Sequence, residues 1–327
     1  MNLTTSYARK AMIFAFALIA LVSTKLVQAQ SYNFGKNIEV AYEGWRPLDD
    51  GSFNFMFGYM NENWEEEPDV EIGENNFFSP GDADRGQPTH FLPRRNRFTF
   101  EVNVPADWGD REMVWELTVN GVTRGAYATL KDDYLVDNMV IASETGSLGA
   151  GTSSPESRAN IAPVVTLQGD MVNGEHVRSV RVGEPLSFTT HIIDDGVPRS
   201  RSNVSTIRAL AVRAGEGTTE EMIQQQMALR IPWQPTVQKI NGLFLSWNVY
   251  RGAGKVAFDP PQPKLWEDTR PGSNSALGLS WSPPEIAEDG MINTTVSFEK
   301  PGEYVLWGRG DDGGLYHDEF MTVTVTE

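Results

Sequence analysis

The chain has no cysteine in 327 residues. That rules out disulfide staples, thiolate metal centres and a lipid attached at a leader cysteine, so stability has to come from buried cores. Beyond residue 22 no apolar run approaches the roughly 20 residues needed to cross a bilayer. Histidine is scarce, with four residues, and positive charge is the minority sign: 27 Lys and Arg stand against 44 Asp and Glu, a net charge of −17. Such a surface repels phosphate backbones and anionic lipid, which speaks against nucleic acid and membrane surfaces as partners. The sequence also lacks a His-Glu-x-x-His zinc helix and a Gly-x-Ser-x-Gly nucleophile turn.

What is present begins with a leader. Arg9 and Lys10 precede the short apolar stretch AMIFAFALIALV, Ala11 to Val22, and Val27 and Ala29 sit at the minus-three and minus-one places of a cleavage site. Lys25 interrupts any extension into a membrane anchor. Residues 1–29 are therefore expected to be a signal peptide, with Gln30 as the first mature residue. Removing them takes three basic residues and no acids, leaving 24 basic against 44 acidic residues and a net charge of −20. An exported, cysteine-free protein fits a bacterial periplasm or cell surface.

The mature chain reads as all-β. SFNFMFGYM places Phe53, Phe55, Phe57 and Tyr59 on one face, and FTFEVNV does the same with Phe98, Phe100, Val102 and Val104. MVWELTVNGVTRGAYATL is a hairpin pattern, with Asn120-Gly121 as its turn. Seven or eight short strands are expected over 36–130, within a first β-sandwich domain spanning 36–143. Residues 144–160 carry small and polar residues without periodicity and are expected to be a flexible linker. A second sandwich, of about seven strands, is expected over 161–327. Two insertions interrupt it, at about 199–241 and 262–290. The first carries TTEEMIQQQMALR, a helix with Thr218 and Glu221 as its capping box.

In the second half HIIDDGVP (191–198), LSWNVYRGAGKVAFDPP (245–261) and VSFEKPGEYVLWGRGDDGGLYHDEFMTVTVT (296–326) resemble the PKD-like and related Ig-like modules of bacterial exported proteins. Trp247 matches their core tryptophan, and Pro301, Gly302 and Tyr304 match the turn leading into their sixth strand. YEGWRPLDDGSFNFMFGYMNEN and SPGDADRGQPTHFLPRRNRF, ahead of that module, look like a family of uncharacterised exported bacterial proteins. The resemblance implies two Ig-like sandwiches in tandem and no particular activity, since such modules serve as spacers, adhesion units or binding supports.

Chemistry-bearing residues gather in FFSPGDADRGQPTHFLPRRNRFTF, Phe77 to Phe100. Asp82, Asp84, Arg85, Gln87, His90, Arg94 and Arg95 are its candidate ligand-binding residues. Asp82, Asp84 and His90 would be metal ligands, or Asp84 and His90 an acid–base pair, but no spacing supports either. The plainer reading is a long connection that satisfies its own backbone with Asp and Arg, opposite the six acids of WEEEPDVEIGE, Trp64 to Glu74. The Asp-Asp-Gly units, Asp194-Asp195 and Asp311-Asp312 with Asp318 beyond, invite calcium; tight turns in which Asp caps its own backbone are the plainer reading here too. Of nine tryptophans, Trp115, Trp247 and Trp307 fall at inward strand positions. Trp45, Trp64, Trp108, Trp233, Trp266 and Trp281 fall on loops, where they would stack on sugar, cover core edges or meet a protein.

The reading that follows is a non-catalytic, exported binding, adhesion or assembly module, with an envelope protein or a polysaccharide as partner. An accessory carbohydrate-binding protein is second, and a metal-dependent hydrolase third. No cofactor is expected apart from calcium at the Asp-Asp-Gly turns.

Overall fold

Alternating aromatic and polar residues need a flat surface to bury one side, and the chain builds four such surfaces. The computed structural model describes residues 32–145, 155–197, 242–266 and 284–327, together with Gly217, Thr219 and Met222. The expected leader lies outside these, as does nearly all of the expected helix at 218–229. Beside its proposed cap, Thr219 Oγ1 accepts a hydrogen bond from the Met222 amide.

The first sandwich pairs β1 (Ile38–Pro47), β2 (Phe53–Asn61) and β4 (Arg94–Val104) in one sheet, and β3 (Asn76–Ser79), β5 (Met113–Val119) and β6 (Val122–Ala128) in the other. The expected hairpin is β5–β6, closed by Asn120 and Gly121 at φ 52° and 74°. Both values lie in the left-handed region that a tight hairpin turn requires. Trp115, fully buried, is the hub of the core. It stacks on Phe78 and Phe91 at 6.0 and 6.4 Å and meets Phe100 edge-on at 5.1 Å. Burying each such ring stabilises by roughly 1.5–3 kcal/mol.

Six strands form here instead of the expected seven or eight. Residues 62–75 and 80–93 run as irregular connections joined only by isolated bridges, such as Asp69 with His90. Pro68, Pro80, Pro88 and Pro93 have no amide hydrogen to give to a ladder, which keeps these stretches out of a sheet.

Among the described residues of the second sandwich eight strands pair, where about seven were expected. One sheet has the order β10 (Phe244–Arg251), β13 (Gly302–Asp311), β14 (Tyr316–Thr326), β8 (His176–Arg181), with β14 and β8 parallel. The other has β11 (Val256–Asp259), β12 (Met291–Phe298), β9 (Leu186–Ile193), β7 (Val164–Leu167). Trp247 fills the centre, edge-on to Phe188 at 5.0 Å, with its indole N–H donating to Thr190 Oγ1. Gly308 lies against that indole so closely that an added Cβ would sit 2.6 Å from the ring, so only glycine fits. Tyr304, expected at the turn into a strand, lies instead inside β13 and donates its hydroxyl to the Ala253 or Lys300 carbonyl, 2.9 and 3.0 Å away. The protein is thus all-β, two sandwiches in tandem.

Between them the ends of the expected linker are helical. Asp137 Oδ1 accepts the Val140 amide and caps α1 (Asn138–Thr145), and Pro155 opens α2 (Pro155–Ala159), a position where its missing N–H costs nothing. Residues 146–154 lie outside the described residues.

Candidate functional site

β10 and β13 are buried on both faces over nearly their whole length. Leu245, Trp247, Val249 and Leu306 enter the core of their own sandwich. Phe244, Tyr250 and Trp307 point the other way and, with Leu265 and Trp266, join the cluster that contains Trp115 and Phe57. One apolar core therefore runs through the seam between the two halves of the chain.

The reactive-looking loop closes this seam from one side. The Thr89 and His90 amides both donate to the Tyr250 carbonyl at 3.1 Å, and the Tyr250 hydroxyl donates to the Gly86 carbonyl. Arg251 donates through Nη1 and Nη2 to the two oxygens of Asp84 at 2.9 and 2.7 Å, and through Nε and Nη2 to the Gln87 carbonyl. This fork–fork geometry holds the Asp84 carboxyl below its ordinary pKa.

From the other side Arg309 reaches across. It donates to the Arg97 and Phe98 carbonyls at 3.2 and 2.7 Å and is clamped by both oxygens of Asp318 at 2.7 Å. Burial works against its charge, but Asp318 more than offsets this and raises its pKa. The accepting carbonyls belong to a bulge in β4, where the register against β2 jumps between Phe57 and Tyr59. Phe98 sits there at φ 48°, a left-handed conformation that is an outlier for a bulky residue. The bulge turns the Phe98 ring into a third cluster, with Met56, Val136, Ile141 and Leu315.

The remaining candidate residues are dispersed. Gln87 is fully buried, accepting the Arg85 amide and donating to the Ala83 carbonyl. Asp82 is exposed. His90 lies between Asp69 and Glu67, at 2.7 and 3.1 Å. Burial alone would lower its pKa, but the two carboxylates outweigh this and raise it to about 9. Arg94 covers the Trp64 ring at 4.2 Å, and Arg95 pairs with Glu43 at 2.7 Å.

The aspartates at the tip of the second sandwich serve their own turns. Asp194 and Asp195 accept the Gly196 and Val197 amides, and Asp311 and Asp312 accept those of Gly313 and Gly314. Burial, with Asp311 alongside, pushes the Asp312 carboxyl up to about 7. Asp318 belongs instead to the Arg309 pair. Among the described residues no three His, Asp or Glu side chains are grouped to hold a metal.

The tryptophans expected on loops are packed as well, and one of them, Trp45, lies inside β1 and not on a loop. Trp45 donates to the Lys131 carbonyl, Trp108 to that of Arg111, and Trp266 lies in the shared core. Trp233 and Trp281 lie outside the described residues.

Sequence reasoning missed Tyr250, Arg251, Trp307 and Arg309 as seam residues. Their signal was available: LFLSWNVY and LWGRG carry large side chains on both faces of a strand, where a one-sided strand would alternate.

Two openings flank the seam. One is a cavity of about 550 Å³ between β4 and β14, with Arg46, Glu101, Tyr250, Arg251, Asp318 and Phe320 in its wall. The other is a groove of about 930 Å³ with His90, Asp69 and Glu67 facing Lys255 and Lys300.

No protein-family model and no curated protein matches the chain. Solved structures give loose overlaps. A nucleoside hydrolase-related hypothetical protein from Saccharophagus degradans, associated with carbohydrate metabolism, is 12% identical over 62% of this chain, with a TM-score of 0.24; this chain spans only 35% of that one. Domains 4 and 5 of the S-layer protein SbsC are 9% identical over 89% of this chain and 98% of theirs, at 0.19. The Yersinia pseudotuberculosis adhesin InvE is 8% identical over 88% and 58%, at 0.22. Overlaps this loose carry nothing about what the chain does.

Proposed function

We propose that this protein is a non-catalytic binding module of the bacterial periplasm or cell surface, in which the two sandwiches form one rigid block that presents a ligand surface to an envelope protein or polysaccharide. The observation that supports this reading is the commitment of the reactive-looking side chains. Asp84, Gln87, Arg251, Arg309 and Asp318 are engaged across the seam or beside it, and His90 is held by two carboxylates. A catalytic acid, base or nucleophile must be free to approach a substrate atom, and these groups already have structural partners. No helix among the described residues is long and apolar enough to cross a membrane.

The test is a turnover screen of the purified protein with chromogenic esters, phosphates and glycosides, run with and without chelator. No turnover above blank is expected. Metal-dependent turnover abolished by chelation would restore the hydrolase reading. The accessory carbohydrate-binding reading stays second, favoured by the mixed aromatic and polar lining of the smaller cavity.

A further inference from the structure

The 550 Å³ cavity falls within the usual range of small-molecule sites, roughly 300–1,000 Å³, and lies at a domain seam, where such sites concentrate. Its wall has two kinds of surface. The first is aromatic: Phe320 of β14 is 40% exposed, a rare state for a phenyl ring in this molecule, and Tyr250 meets it edge-on at 5.2 Å and holds it in place. The second is ionic but internally neutralised. Arg46 pairs with Glu101 at 2.6 Å, Arg251 with Asp84, and Asp318 with Arg309. Asn54 also donates to Glu101. Each guanidinium around the cavity thus has its own carboxylate.

We propose that this cavity is a binding site for a neutral saccharide unit. A charged ligand would lose its hydration at a wall whose charges are already matched in pairs, with no net opposite charge left to offset that loss. A neutral ligand of hydroxyls carries no such charge. A paired carboxylate still has unused lone pairs, and a paired guanidinium such as that of Arg46 still has unused N–H groups. A hydroxyl beside a pair can donate to one and accept from the other, and a vicinal diol, the repeating feature of a sugar ring, does this twice. The apolar C–H face of the same ring fits against an aromatic side chain, which Phe320 supplies.

The site is also preformed. Phe98, Thr99 and Phe100 line it from the β4 bulge, whose strained backbone is fixed by the Arg309 bonds to the Arg97 and Phe98 carbonyls. A bulge commonly re-aims side chains beside a functional site, and strain of this kind persists only where the surroundings enforce it. This proposal rests on reading the protein as a non-catalytic binding module.

The test uses the full mature chain, titrated by ligand-observed NMR and calorimetry. The probes are glucose, galactose, mannose and N-acetylglucosamine with their β-1,4-linked dimers, beside glucuronate and inorganic sulfate as charged comparators. At least one neutral probe is expected to saturate with a Kd below about 1 mM, and the charged ones to bind at least ten-fold more weakly. Phe320→Ala should weaken that binding at least ten-fold, and Arg46→Gln should do the same if Phe320→Ala fails to fold. Lys255→Ala, in the opposite groove, should leave it unchanged. Failure of every neutral probe to saturate, unaltered affinity in a folded Phe320→Ala or Arg46→Gln, or tighter binding of a charged comparator would overturn the saccharide site. Binding followed by cleavage of a dimer would keep the site and overturn the non-catalytic reading instead.

Discussion

The two sheets of the second sandwich differ in what covers their outer faces. In β12 and β9 burial alternates along the strand, and outward residues such as Ile193 and Met291 are exposed. In β10 and most of β13 nearly every position is buried, because the outward residues Phe244, Tyr250 and Trp307 form part of the first sandwich's core. One sheet faces water and the other faces a neighbouring domain. The difference shows that the chain is organised around the seam as much as around either sandwich. Side chains that look reactive in sequence gather where polar groups had to be buried and therefore paired.

Trp307→Ala should break this comparison most strongly. The residue is 1% exposed, so truncation should cost roughly 3–5 kcal/mol, whereas Ile193→Ala on the water-facing sheet should change stability by less than about 0.5. Denaturant melts of the two variants measure the contrast directly.

Arg309→Met comes next. It leaves Asp318 and the Arg97 and Phe98 carbonyls without their donor, and removing one partner of a buried pair costs roughly 3–5 kcal/mol. Methionine keeps most of the apolar stem, so the loss should fall slightly short of that for Trp307→Ala. Chemical denaturation compared with the Asp318→Asn variant should show losses that do not add, since both break the same pair.

How far these residues could be read from sequence follows from where their partners lie. The β5–β6 hairpin was legible because Asn120-Gly121 and the flanking alternation are local signals. Trp115 and Trp247 were legible as core residues for the same reason. The seam was not legible, because Arg251 and Asp84 stand 167 residues apart, and nothing near either names the other. The connection over 80–93 was legible as such, whereas the total of seven or eight strands over 36–130 was one or two too many. The loop around Asp84 and His90 was read as self-locking; Asp84 and Gln87 do bond its own backbone, and the Thr89 and His90 amides tie it to β10 as well, which nothing local announced.

A smaller effect sharpens the account at His90. Its folded pKa, about 9, lies above the ordinary value of about 6.5, so the stability it contributes is fully present below about pH 6.5 and is lost as pH rises through about 9. The expected loss is on the order of 1–3 kcal/mol between pH 6.5 and 9.5. Stability measured across that window should decline in the native chain and be flatter in His90→Gln.

The smallest effect belongs to Asp84→Ala. Its side chain is 50% exposed, so despite the bidentate geometry the cost should stay below about 1 kcal/mol. Melting-point comparison with Arg251→Ala should show the larger loss in Arg251→Ala, because that change also removes the two donors to the Gln87 carbonyl.

The central claim is that the two sandwiches share one core and act as one block. Differential scanning calorimetry of the mature chain, native and Trp307→Ala, tests it most directly. A single cooperative transition is predicted, with calorimetric and van't Hoff enthalpies in agreement, and Trp307→Ala should shift the whole transition to lower temperature. Two resolved transitions, only one of them displaced by the substitution, would contradict it.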